Sequence, residues 1–200
     1  MSGCIPLPSR QSFAGGIAIV LFAALALATS PPIQAARFAG VTVPDSADVD
    51  GQTLALRGAG IRKRLFLKLY VAALYAKTEG DGAAVAAADE AMMIRLAIRS
   101  DLVTRSKMVD ALKEGFEKST DGNTAPVQSG IDTMLAAMPD DIDPGDVYDL
   151  VYVPGSGTTL TGNGSTLAEV DGLAFKEALF GIWLSNDPVQ LDMREAMLGN

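Results

Sequence analysis

Between Gly58 and Tyr75 the chain reads Gly-Ala-Gly-Ile-Arg-Lys-Arg-Leu-Phe-Leu-Lys-Leu-Tyr-Val-Ala-Ala-Leu-Tyr, a strand-like apolar run into which basic and phenolic side chains are set. Successive side chains of a strand point to opposite faces. Leu65, Leu67, Leu69, Val71 and Ala73 therefore fall on one face, the expected core, and Phe66, Lys68, Tyr70, Ala72 and Leu74 on the other. Arg62 shares the second parity if the strand runs unbroken, which puts a guanidinium and a phenol on the same side of one sheet. Such a pair can grip a carboxylate or an enolate oxygen, because both groups are hydrogen-bond donors and one is charged. Arg62 and Tyr70 are accordingly the candidate ligand-binding residues. The plain alternative is that Arg62 bridges loop carbonyls and Tyr70 is a strand core residue with its hydroxyl in water.

The amino terminus reads as an export signal over residues 1–36. Arg10 supplies the only charge before an apolar stretch from Phe13 to Ala28, and Ile33-Gln34-Ala35-Ala36 offers small residues for cleavage. Gly15 and Gly16 interrupt that stretch, which falls short of the roughly 20 apolar residues of a spanning helix, so no retained membrane anchor is expected. Cys4 precedes the apolar stretch, whereas a lipoprotein signal places its cysteine after it. Cleavage near Ala35 or Ala36 would deliver residues 37–200 to the periplasm or the medium as one domain with a sizeable core.

Removal of that segment takes away the only cysteine, and the chain has no histidine. Internal disulfides, thiol nucleophiles and Ser-His or Cys-His catalysis are excluded from the processed chain, and zinc would be left with carboxylate ligands alone. The net charge is −8 for the whole chain, and loss of Arg10 makes it −9, a balance that repels nucleic acid.

Val41 to Pro44, Ala47 to Val49 and Thr53 to Leu56 read as short strands, with Asp50-Gly51 as a hairpin turn. A long strand is expected over 64–76, then a Gly- and Ala-rich loop with a weak helix over 78–88. Met92 to Ile98 alternates as a strand with one apolar and one mixed face. Met108, Val109, Leu112 and Phe116 recur at helical spacing within 104–119, and Val127, Ile131, Met134, Leu135 and Met138 form the next stripe, after a helix start at Asn123-Thr-Ala-Pro. Strands over 147–153, 158–161 and 165–169 follow as a meander turned by Pro154-Gly155 and Gly162-Asn163-Gly164. Asp171 is expected to cap a helix ending at Leu184, and Asp187-Pro188 to open a last short one.

Gly-Ala-Gly-Ile-Arg followed by Lys-Leu-Tyr-Val-Ala-Ala-Leu-Tyr, then Arg105-Ser-Lys-Met-Val-Asp-Ala-Leu, and finally Gly172-Leu-Ala-Phe-Lys-Glu-Ala-Leu-Phe-Gly-Ile-Trp-Leu resemble the chalcone isomerase-like family, and its secreted bacterial members in particular. The similarity runs from about residue 38 to 199. It implies an α+β fold in which an antiparallel β-sheet packs against a layer of α-helices, with a ligand cleft between them. Plant members either cyclise chalcones to flavanones or bind fatty acids without catalysis, and both use an arginine at the position matching Arg62. Tyr70 matches a position held by threonine in the isomerases and by tyrosine in the fatty-acid binders. The tyrosine and asparagine that isomerases place on one helix against substrate have no counterpart in Arg105 to Leu112, and their late threonine has no clear hydroxyl equivalent near Gly172 to Lys176. Acid-base work would have to rest on a tyrosine or a perturbed Lys68.

The resemblance and the residues together lead to the expectation of an exported, non-catalytic binder of a small amphipathic carboxylate such as a fatty acid, with no catalytic residue, metal or cofactor assigned. The alternative is an isomerase, an intramolecular lyase, acting on a chalcone-like phenolic enone, with Arg62 on the oxyanion. A third class is an interaction protein with a filled cleft. Arg95 and Arg99 are expected on a solvated face and less so as a basic cleft wall. Asp140, Asp141, Asp143 and Asp146 lack the glycine and closing glutamate of a calcium loop and read as a solvated turn. Phe175, Phe180 and Trp183 are expected in the core.

Overall fold

A computed structural model describes residues 35–200 apart from Ala39, together with Met1 and Gly3. The stretch expected as an export signal lies outside the described residues except at Met1, Gly3, Ala35 and Ala36, the last two of which open strand β1. Strands β1 (Ala35–Phe38) and β2 (Val41–Pro44) form a short antiparallel ribbon. Among the described residues, seven further strands make one antiparallel sheet in chain order: β3 (Ser46–Val49), β4 (Gln52–Arg64), β5 (Leu67–Ala76), β6 (Met92–Ile98), β7 (Val147–Val153), β8 (Gly157–Gly162) and β9 (Ser165–Val170). Helices α1 (Gly82–Ala87), α2 (Arg105–Ser119), α3 (Gln128–Ala136), α4 (Leu173–Leu184) and α5 (Leu191–Met197) come from the connections and the carboxyl end. Every neighbouring strand pair is sequential, so each pairing closes over a hairpin or a helical excursion and no strand crosses over.

The main core lies between the sheet and the helices. Ala72, Leu74, Ile94, Leu96, Leu150 and Leu160 meet Leu112, Phe116, Met134, Leu179 and Trp183 there. Val71, Ala73, Tyr75 and Met93 on the other sheet face join Val43, Val49 and Leu54 in a second cluster. Burial on both faces explains why β5 reads as a nearly continuous apolar run from Tyr70 to Tyr75.

The long strand expected over 64–76 is two strands. It breaks at Leu65 and Phe66, a two-residue hairpin turn closed by the Arg64–Leu67 pair, and β4 reaches back to Gln52. Leu65, Phe66 and Leu67 are exposed at and beside the tip, so the expected core face includes neither Leu65 nor Leu67, and β5 has no solvated face from Tyr70 onward. Leu65 adopts φ +56°, a left-handed conformation that turn-forming Gly, Asn or Asp signal in a sequence and Leu does not. Gly172, at φ 97°, precedes α4 in place of the expected Asp171 cap. α5 starts at Leu191, after Gln190, because Asp187-Pro188 lies in a loop that folds back through a Val189 N–H to Ile182 carbonyl bond of 2.9 Å.

Candidate functional site

Arg62 and Tyr70 are directly opposed across the β4–β5 ladder, so they share the helix-facing side of the sheet. Pairing between two strands, and not alternation along one unbroken strand, brings them to the same side. The Gly-Ala-Gly run just before Arg62 has a packing cause. A Cβ at Gly58 would lie 2.2 Å from the Ala196 carbonyl oxygen, and one at Gly60 would lie 2.4 Å from that of Met193. Two missing side chains thus let α5 rest directly on the β4 backbone. The residue that leads into α5, Gln190, locks this arrangement: its Nε2 donates to the Ile61 carbonyl (3.0 Å), and its Oε1 accepts from the Lys63 N–H (2.8 Å) and from Arg62 Nη1 (3.2 Å).

Arg62 Nη1 also donates to the Lys63 carbonyl at 3.3 Å. Both bonds leave from one terminal nitrogen, so most of the five-donor fork is left to other partners. Among the described residues no carboxylate forms an ion pair with Arg62. Arg57 shows what a purely structural arginine does on the same strand, with all three nitrogens spent on the carbonyls of Leu198, Thr78 and Gly80.

Arg62 and Tyr70 line one cavity of about 330 Å³ between β5, α2 and α4, within the size range of small-molecule sites. Its deep wall is apolar, from Met108, Leu112, Ile182 and Trp183, and its exposed members include Arg64, Lys107 and Leu102. Glu114 also lines it, paired with Lys118 at 3.5 Å. A further void of about 20 Å³ lies on the far side of Met108, Leu112 and Trp183, which line both spaces. Trp183 Nε1 donates to the Tyr70 hydroxyl at 3.1 Å, and the Arg62 guanidinium also lies against that oxygen. The phenol therefore accepts from the protein and keeps its own hydrogen to give. Burial raises its pKa, against the smaller opposing effects of Trp183 and Arg62, so the hydroxyl stays protonated at neutral pH.

A sequence profile of the chalcone isomerase-like family matches residues 35–199. The chain belongs to the chalcone isomerase-like family. The solved structure of a fatty-acid binding protein from Arabidopsis thaliana has the same fold, with a TM-score of 0.67 at 17% identity over 84% of this chain and 97% of that one. No curated protein matches the chain by sequence.

Within this chalcone isomerase-like fold the remaining candidates fall away from the cavity. Lys68 is exposed on β5. Arg95 lies on the opposite sheet face, level with Ala73, and is neither a cleft wall nor a free solvated group: Asp149 binds it in bidentate fashion at 2.7 and 2.8 Å. Asp146 closes the acidic turn by accepting from the Asp143 N–H, Asn163 and Tyr148, and no cluster fit to hold a metal occurs among the described residues.

Sequence reasoning missed Gln190 altogether and read Trp183 only as core. It also missed Lys176, which is 0% exposed and donates to the carbonyls of Val85, Ala86 and Ala88 at 3.3, 2.7 and 2.6 Å. Burial lowers its pKa to about 8, against the pull of Glu177, Asp89 and Glu90. Three ammonium donors meet three carbonyls at the end of α1, so this lysine is engaged in holding α1 to α4 and does not line the cavity.

Proposed function

We propose that the protein is a non-catalytic binder of a small amphipathic carboxylate of the fatty-acid class. The observation that carries this reading is Arg62, a half-buried cation with no carboxylate partner among the described residues, set beside the Tyr70 hydroxyl on the wall of a cavity whose buried side is apolar. A carboxylate there would take a charge-assisted bond from the guanidinium and a second bond from the phenol, while the tail lies along Met108, Leu112, Ile182 and Trp183. Tyr70, held protonated by burial, suits donation to a carboxylate and is a poor base for removing a proton. The likeness to a plant fatty-acid binding protein supports the same ligand class.

We also propose that the protein acts outside the cytoplasm, on the strength of Arg10, the apolar stretch from Phe13 to Ala28 and the small residues at Ala35 and Ala36. The intact mass of secreted protein would begin near Ala36 or Arg37, whereas soluble cytoplasmic protein retaining Met1 would end that claim.

The test of binding is calorimetric titration with hexadecanoic acid and with its methyl ester, which keeps the tail and loses the charge. The acid should bind about tenfold or more tighter, since a hydrogen bond to a charged group is worth about 1.5–3 kcal/mol, and Arg62→Ala should remove the difference while leaving the melting temperature little changed. Equal affinities for acid and ester, or parallel losses of stability and binding in Arg62→Ala, would return Arg62 to a structural role. Loss of chalcone absorbance caused by the parent and abolished by Arg62→Ala would replace the binder with an isomerase.

A further inference from the structure

The β4–β5 hairpin breaks the turn code that its neighbours keep. Two other two-residue turns of the same sheet are Asp50-Gly51, at φ 51° and 71°, and Asn163-Gly164, at φ 50° and 82°, each made of residues that tolerate positive φ. The β4–β5 turn is Leu65-Phe66, with Leu65 at φ 56°. A γ-branched leucine is strained there, so the turn's composition does not serve the fold. Leu65 and Phe66 are 88% and 86% exposed, the most exposed large apolar side chains in residues 35–200.

The flanks are basic. Arg62, Lys63, Arg64 and Lys68 surround the tip, and no acidic residue occurs between Asp50 and Glu79, in a chain with 24 acids against 16 bases. Lys63 shares its charge with Asp192 at 3.3 Å, while Arg64 and Lys68 stand exposed. The same patch meets the cavity, whose lining includes Arg64, Leu67, Leu102 and Lys107, all of them exposed.

We propose that this hairpin docks the protein on an anionic lipid surface. Leu65 and Phe66 enter the boundary between headgroups and acyl chains, and Arg64, Lys68 and Lys107 engage the headgroups. An apolar tip collared by cations is the pattern of interfacial anchoring, and the local positive charge on an otherwise acidic protein selects the orientation. A protein partner is disfavoured by shape, because a convex two-residue tip offers far less than the roughly 800 Å² per side of a stable interface. A second copy would bring the same cations against these. Docking presents the cavity to the bilayer. The docking is independent of what the cavity holds, and only exchange of an acid between bilayer and cavity rests on the function proposed above.

The test is co-sedimentation of protein purified from its exporting host with vesicles of phosphatidylcholine, with and without phosphatidylglycerol. The decisive variant joins Leu65→Asn with Phe66→Gly, which installs a favoured turn, should melt no lower than the parent, and alters no cavity-lining residue. The parent should partition onto phosphatidylglycerol vesicles in preference to phosphatidylcholine alone. The turn variant should lose about tenfold or more of that partition, and Arg64→Glu or Lys68→Glu roughly fivefold or more each. Equal partition of parent and turn variant, no preference for the anionic vesicles, or a dimer that the turn variant abolishes would each overturn the proposal. Hexadecanoic acid titrated without vesicles separates the two readings. Vesicle docking by a protein that takes up no acid would overturn the binder and leave the docking intact, and acid uptake without docking would do the reverse.

Discussion

Replacing Tyr70 by phenylalanine removes a single oxygen, and the structure assigns that oxygen two duties. It accepts the Trp183 indole N–H at 3.1 Å inside the core, and it faces the cavity beside Arg62. Without it the buried indole donor has lost its acceptor, a loss of about 1–3 kcal/mol in folding stability. Ligand affinity should fall separately by one neutral hydrogen bond, about 0.5–1.5 kcal/mol, or two- to thirteenfold. Trp183→Phe removes the donor instead, so once it is in place, a further Tyr70→Phe should cost much less than it does alone. The cycle of single and double variants should therefore show a coupling energy in the range of about 0.5–3 kcal/mol that contacting residues display. Urea unfolding followed by circular dichroism measures all four proteins on one footing, since Trp183 is the only tryptophan and its fluorescence disappears in half the set. Additive effects, or an unchanged parent stability in Tyr70→Phe, would refute the hydrogen-bonded pair and with it the idea that Trp183 holds the phenol in place for a ligand.

Two further predictions concern the core. Lys176 has its pKa lowered from 10.5 to about 8 in the fold, so the unfolded chain binds more protons between those values, and stability should rise with pH from about 8 towards 10. Tyr75, Tyr148 and Tyr152, raised by burial from 10 to about 12, contribute stability that is present below pH 10 and lost as pH climbs through 12, so the rise should reverse above 10. In denaturant melts across this range, Lys176→Met should flatten the rise and lower stability by about 1–3 kcal/mol for each carbonyl left without a donor; an undiminished rise would assign it to other groups. Leu112→Ala should join the cavity to the 20 Å³ void that Leu112 also lines, costing about 2–5 kcal/mol of stability and shifting preference towards longer acids in a titration series. An unshifted preference would mean that the tail does not run past Leu112.

The elements legible in the sequence are those with local signatures. The β7–β9 meander follows from alternation broken at Pro154-Gly155 and Asn163-Gly164, and α2 from a helical stripe opened by Thr104, whose hydroxyl accepts the Lys107 N–H. Leu65-Phe66 defeats the same reasoning because it turns the chain with residues that signal strand. That error left Arg62 and Tyr70 on one face only by coincidence of parity, when cross-strand pairing is the cause. Gln190, Trp183 and Lys176 escape for another reason. Their partners lie about 90 to 130 residues away, and nothing near them in the sequence marks an amide that clamps a strand, an indole that meets a phenol or a lysine that caps a distant helix.

Arg62 and Tyr70 are proposed as the head-group end of a site for an amphipathic acid. A crystal structure of the protein grown with hexadecanoic acid tests it most directly. One carboxylate oxygen should lie about 2.7–2.9 Å from an Arg62 nitrogen, and one about 2.5–2.7 Å from the Tyr70 hydroxyl, with the tail along Met108, Leu112 and Trp183. A cavity that stays empty at saturating acid, or a carboxylate seated on Lys107 or Lys118 while Arg62 contacts only Gln190 and the Lys63 carbonyl, would contradict it.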